Sequence, residues 1–407
     1  MSPGDRRRVL ATASACVFLN FLAFSGLTPL FPEVARDLGL GVDSLGLYFS
    51  VSAGVAAVLQ IPVGVLADRF GRRPVLAAGL LFMTAGQLLR WQASSPLIFG
   101  AGQFAIGACS PLIVAAGFAA VADAYARAGR AEAMGIVSAA ISLGQVTGFL
   151  VAGLVAQFVG WRGFSLGVAV LPLFLLLPTL TMPEPPRHGA DVALGRALLR
   201  ALRFLAQPRA AGLALVAALA LGAGFSAGYL LPFVARGFGY GQAATSLLLI
   251  PYVLGSVVGS PLVGRGADRA GITGLLVACL ATGALALAAF GLLPFSLPAV
   301  AVCFVLIGGG SGAALSLAST AIVQVAGRSG AGSGAALGGL RVGQQLGPAL
   351  GPALAGVTFA HAGKAPAFLL LAALLVTAAA VALPATRLPP TPESAEGAPS
   401  NISPPLD

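Results

Sequence analysis

The sequence predicts an all-α integral membrane protein of twelve spanning helices, built as two pseudo-symmetric bundles of six. Three observations predict it. The 407 residues are 57% hydrophobic and only 9% charged, where soluble proteins average about 25% charged, and the mean hydropathy is +0.94. The apolar residues gather into stretches of about 20, the length a helix needs to cross a bilayer. One polar loop sequence recurs in the second half of the chain. So few charges leave no water-facing shell, which excludes a soluble enzyme and a disordered protein.

In chain order, apolar spans lie near 9–31, 45–66, 74–93, 97–122, 133–158 and 163–182. A second set follows near 210–235, 243–263, 272–294, 297–325, 332–360 and 366–386. Arg6, Arg7 and Arg8 precede the first span as in a signal peptide, but the apolar stretch runs on through Phe31, so an uncleaved helix is expected. With the N-terminus inside, 17 of the 23 basic residues fall in inner segments and 5 in outer ones (Arg36, Arg90, Arg162, Arg236, Lys364), while Arg341 falls within a span. This asymmetry predicts a plasma (inner) membrane protein with both termini cytoplasmic. The net charge of +10 is thereby a topology signal, with no basic face for nucleic acid.

The spans divide the chain into a first bundle (1–182), a linker (183–209), a second bundle (210–386) and a tail (387–407) expected to be disordered. The linker opens on Pro183, Pro185 and Pro186. Asp191 then caps a short helix with Leu198, Leu199, Leu202 and Leu205 on one side and Arg196, Arg200 and Arg203 on the other, suited to the membrane surface. The Asn401 sequon lies in the inner tail, away from glycosylation. Cys16, Cys109, Cys279 and Cys303 sit in apolar runs without a CxxC pair and read as free core thiols. His188 and His361 lie in predicted loops. No metal site and no cofactor are expected.

The loop between spans two and three reads Gly64-Val-Leu-Ala-Asp68-Arg69-Phe-Gly71-Arg72-Arg73, and Gly264-Arg-Gly-Ala-Asp268-Arg269-Ala-Gly271 repeats it between spans eight and nine. Gly144-Gln-Val-Thr-Gly148 in span five is echoed by Gly347-Pro-Ala-Leu-Gly351-Pro352 in span eleven. Two halves descended from one unit explain both echoes, a build common among secondary transporters.

On these residues the chain resembles the major facilitator superfamily, and within it the twelve-helix drug and solute:proton exporters. The likeness covers about residues 9–386 and is most specific at Gly64 to Arg73; Gly129 to Gly135 and Gly160-Trp161-Arg162-x-Phe164 are also similar to family stretches. The resemblance implies alternating access and proton-coupled efflux of amphipathic or drug-like small molecules by a monomer in the lipid bilayer. Asp68 is placed to accept hydrogen bonds from the start of a facing helix, with residues 331–336 as its candidate. Arg69, Arg72 and Arg73 can pair with Asp123. The resemblance makes this cluster, with Asp268 and Arg269, a latch between the halves; the alternative is loop charge that merely fixes topology. The family ties a proline-bearing motif of helix five to export, yet here Gln145 and Phe149 occupy those positions and helix eleven carries the prolines.

By resemblance, spans one, four, seven and ten line a central cavity. Span one offers Asn20, Phe24 and Thr28 at a spacing of four. Spans four, seven and ten offer Gln103 and Ser110, then Ser226, Tyr229 and Phe233, then Ser311 and Ser319. A hydroxyl in a membrane helix commonly bonds its own backbone, whereas an amide in hydrocarbon needs a partner. Arg341 lies about 15 Å into span eleven at 1.5 Å per residue, with Gln344, Gln345 and Pro348 on its face. It suits either an anionic group on a substrate or a link to helix carbonyls. No carboxylate falls inside a span. Glu33, at the outer end of span one, is the remaining candidate for proton coupling, its alternative being an ordinary exposed helix end. Gln103 stands where the family carries an arginine.

Rival functions fit less well. Gly224-x-Ser226-x-Gly228 matches a hydrolase elbow, but lies inside an apolar helix with no His in any span. The one lysine, Lys364, follows no phosphate-binding glycine loop. A carrier taking up or exchanging small organic anions through Arg341 is the main alternative.

Overall fold

The computed structural model describes residues 1–125, 127–184, 194–329 and 333–386. His188, Asp191, the tail from 387 and its sequon lie outside them, as do the side chains of Asp268, Arg269, Arg196, Leu198 and Arg200. The chain runs as α1 (Pro3–Gly26), a 3-10 turn (Thr28–Leu30), α2 (Phe31–Leu38), α3 (Val42–Phe70), α4 (Arg72–Trp91), α5 (Pro96–Ala124) and α6 (Arg127–Leu180). Then come α7 (Leu194–Leu205), α8 (Pro208–Gly237), α9 (Gln242–Ala270), α10 (Ile272–Leu292), α11 (Leu297–Ser329), α12 (Ser333–Ala362) and α13 (Lys364–Thr386).

Local signals set the helix ends. Ser2 caps α1 through a reciprocal pair with Asp5, and Ser95 accepts from the Ile98 amide ahead of Pro96 at the start of α5, both relieving unpaired amides. Where helices must reverse within one residue, glycine takes a backbone that a side chain resists: φ is +102° at Gly71 and +77° at the repeat-related Gly271.

Helix α6 is assigned as one run of 54 residues, about 80 Å if straight at 1.5 Å per residue, against a hydrocarbon core of about 30 Å. Gly160, at φ +67°, breaks it, so α6 supplies both the fifth and sixth crossings. The polar gap expected between them shrinks to a tight turn. Among the described residues nine helices are long and apolar enough to cross a membrane, α6 counted once. The more polar α4, with three arginines, and α12, with Arg341 and two glutamines, complete twelve crossings.

Each half repeats one packing plan. α1 and α4 both pack along α6, as α8 packs along α12 and α10 along α13. The echoed glycines explain the first pair in each half. A Cβ at Gly144 would strike the Phe18 carbonyl of α1, and one at Gly347 the Ala218 carbonyl of α8. Small residues four apart thus bring helix five of each half against helix one. Between the halves, α3 meets α12 and α6 meets α9. α7 lies across α12 and α3; Phe204 is buried there while Leu199 and Leu202 are exposed.

Candidate functional site

Between the halves lies a cavity of about 700 Å³, counting the open space at its mouth. α1 lines it with Asn20, Phe21 and Phe24, α3 with Ser52 and Gln60, and α5 with Ile106, Ser110 and Val114. From the second half come Phe225 of α8 and Arg341, Gln344, Gln345 and Pro348 of α12. The wall is aromatic and aliphatic with a few amides, the usual make-up of a small-molecule pocket. Asn20 accepts a weak bond from Cys109 Sγ at 3.5 Å, and Ser52 donates to the Phe49 carbonyl of its own helix at 2.8 Å. Arg341 reaches across the cavity, its Cζ 5.8 Å from the Phe118 ring centre on α5.

Six of the expected cavity residues, Asn20, Phe24, Ser110, Arg341, Gln344 and Gln345, therefore line one cavity. Thr28, Gln103, Ser226, Tyr229, Phe233, Ser311 and Ser319 are not among its lining. Thr28 is buried in the 3-10 turn beyond α1, because Pro29 and Pro32 tighten the backbone there. Gln103 is fully buried in the first half and accepts at Oε1 from Arg90 Nη2 at 2.5 Å. Ser226 donates to the Gly222 carbonyl one turn back at 2.6 Å, so the GxSxG match is an ordinary helix segment. Tyr229 points into a plug near the face opposite the chain's start, henceforth the far face. The polar lining residues that the expectation lacked, Ser52 and Gln60, lie on span two. The rule that an amide in hydrocarbon needs a partner would have found Gln60 had it been applied to every span.

The far face is shut. Tyr229 donates its hydroxyl to the Val42 carbonyl of the other half and stacks on Phe49 with ring centres 6.0 Å apart. Phe31 and Phe233 flank it at 5.4 and 5.6 Å. Glu33 of α2 pairs with Arg236 of α8 at 2.8 Å. Glu33 is only 5% exposed, not the exposed end residue that its position suggested, because α2 packs against both α3 and α8. Backbones also touch: Gly46 meets the Pro352 carbonyl and Gly356 that of Val42.

At the opposite, near face, Arg72 holds the loop cluster together. Its Nη1 is 2.6 Å from Asp68 Oδ1 and its Nε 3.0 Å from Asp123 Oδ2. Glu184, which the sequence did not single out, caps α4 by accepting from the Arg72 and Arg73 amides at 2.5 and 3.2 Å, an anion at a helix N-terminus. Its distance in sequence and its proline-rich setting hid it. Arg69 lies 5.5 Å from the adjacent Phe70 ring and Arg73 contributes its backbone, so of the three arginines expected to reach Asp123, Arg72 does. None of these bonds reaches the second half. The candidate partner, residues 331–336, includes residues outside the described set, and its side chains are not described.

Arg90 was counted with the outer loops but is buried in the last turn of α4, 2% exposed, since α4 continues through Trp91. The four cysteines are free and buried.

Twelve crossings in two like halves, a cavity between them and a loop motif at one reversal describe a recognisable group, and residues 13–340 match the description Major Facilitator Superfamily. The chain belongs to that superfamily. Among its relatives, the multidrug resistance protein MdtM of Salmonella typhimurium is 30% identical over 207 residues, 49% of either chain. Multidrug resistance protein 2 of Bacillus subtilis is 28% identical over 195 residues, 46% of this chain and 48% of the relative. The chain thus spans about half the length of the curated relatives it matches. The fold is shared with a bacterial homologue of the human lysosomal transporter Spinster, crystallised inward-facing and occupied, at a TM-score of 0.80, 19% identity and coverage of 95% and 97% of the two chains. The superfamily is one of membrane transporters, and the chain shares its multi-pass architecture.

Proposed function

We propose that the protein exports amphipathic small molecules across the plasma membrane in exchange for protons, by alternating access. The observation that carries this reading is the cavity itself: both halves line it, its wall mixes aromatic rings with amides, and the far face above it is shut. With the near face cytoplasmic, as the basic residues favour, this is an inward-facing state ready to load from inside. The halves, 1–182 and 210–386, would rock as units about the linker 183–209. The Arg72 cluster would engage the second half when the near face closes. Glu33, the carboxylate that pairs across the seal between the halves, would take up the proton from outside and release Arg236. Export is further favoured by the multidrug resistance proteins among the relatives.

The test is proteoliposomes carrying an imposed inward-acid pH gradient, with lumenal pH followed as amphipathic cations, neutrals and anions are added. Proton movement that needs both the protein and one of these solutes supports the reading. Flux without proton movement removes the coupling, and no flux of any class overturns it.

A further inference from the structure

The cavity holds, among the described residues that line it, one ionisable side chain, Arg341, and no carboxylate. Among the described residues Arg341 has no ion-pair partner: the five pairs lie elsewhere. Arg341 lines the cavity, and its guanidinium carbon rests 5.8 Å from the Phe118 ring centre. A cation at mid-membrane depth without a counter-charge is costly, and its charge is met by water or by a ligand. One turn away on α12, Gln344 and Gln345 present amides to the same space, while Phe21, Phe24 and Phe225 supply an apolar wall. We infer that this site takes an amphipathic organic monoanion, a carboxylate or sulfonate on an apolar or aromatic body. Its head pairs with Arg341 on the second half and its body lies against the phenylalanines, so the ligand bridges α1 and α12. A lipophilic cation finds no partner here and meets the Arg341 charge. The inference rests on the transport reading for its purpose, but its chemistry is read from binding alone.

The experiment is calorimetric titration of the full chain in nanodiscs, with empty nanodiscs subtracted, using three probes of one shape: 2-naphthoate, 2-naphthalenemethanol and protonated 2-naphthylmethylamine. The expected order of affinity is naphthoate, then alcohol, then ammonium. Arg341→Gln should weaken naphthoate about tenfold or more, the worth of a hydrogen bond to a charged group, and leave the alcohol unchanged. Arg341→Lys should keep most of the naphthoate affinity, since the charge remains. Absence of naphthoate binding, equal binding of the three probes, preference for the ammonium, or an unchanged Arg341→Gln would each overturn it. The order in the unmodified chain decides the matter even if a variant misfolds. Charge-selective binding without flux in proteoliposomes would count against export alone, and flux of cations that survives Arg341→Gln would count against the anion site alone.

Discussion

Glu33 Oε1 lies 2.8 Å from Arg236 Nη2, and among the described residues this is the ion pair that joins the two halves. Its members are unequally placed, the Glu33 side chain 6% exposed and that of Arg236 42%. Removing Arg236 leaves a buried charge bare, whereas removing the charge of Glu33 leaves an arginine that reaches water. Glu33 Oε2 already has no hydrogen-bond partner. Arg236→Gln should therefore weaken far-face closure by about 1–3 kcal/mol, the cost of an unmet buried group. Glu33→Gln should weaken it less, and the double variant should resemble Glu33→Gln. Spin-label distances between cysteines placed at Gln92 and Ser296, in far-face segments of the two halves, would read the open fraction. Equal effects of the two single variants would refute the asymmetry.

Asp68 separates stability from transport. Its side chain is 47% exposed and its partner Arg72 lies one turn along, an arrangement worth about 0–1 kcal/mol to the folded state. Asp68→Asn should shift the melting midpoint in nanodiscs little, yet stop transport if the cluster is what engages the second half on near-face closure. Glu184→Ala should do the reverse, lowering stability by about 0.5–2 kcal/mol through the lost cap on α4 while transport persists. Transport by Asp68→Asn at the unmodified rate would reduce the motif to a topology signal.

The glycine echo carries a packing prediction. Gly347 sits against Ala218 and Gly222 of α8 so closely that a Cβ there would overlap backbone, while Gly228 on α8 has open space. Gly347→Val should cost about 3 kcal/mol or more, since backbone cannot step aside as a side chain can. Gly228→Ala should be neutral or stabilising by about 0.5–1 kcal/mol through helix propensity. Thermal unfolding of the two variants in the same lipid decides it.

The repeat was legible because glycine and charged loop residues stand out against an apolar background, and it reports how helices pack within each half. The cavity was legible only in part. Asn20, Arg341, Gln344 and Gln345 were visible as polar residues stranded in hydrocarbon. Thr28 and Tyr229 were misplaced because helical periodicity cannot show where a helix tightens at Pro29 and Pro32, or how far along it the seal begins. Glu184 and Glu33 took their roles from tertiary placement: each carboxylate is defined by a partner, the α4 amides or Arg236, that no local pattern connects to it.

Arg90 and Gln103 show the same limit and yield the last prediction. Each looked complete alone, one as a loop cation and one as a cavity amide. In the fold they form a buried pair between α4 and α5, with Arg90 Nε and Nη1 and Gln103 Nε2 left without partners. Close packing enforces it, because a Cβ on Gly102 would press on Arg90. A charge held by a single amide is a poor source of stability, while stripping either member leaves the other exposed to hydrocarbon-like surroundings. Gln103→Leu alone should destabilise the protein by about 3 kcal/mol or more, the cost of an uncompensated buried charge. Arg90→Met with Gln103→Leu should recover most of that loss, and transport should survive in the double variant, because neither residue lines the cavity. If the double variant is as unstable as Gln103→Leu, then shape rather than unmet polarity sets the cost. If it is stable but inert, the pair serves transport from behind the cavity wall.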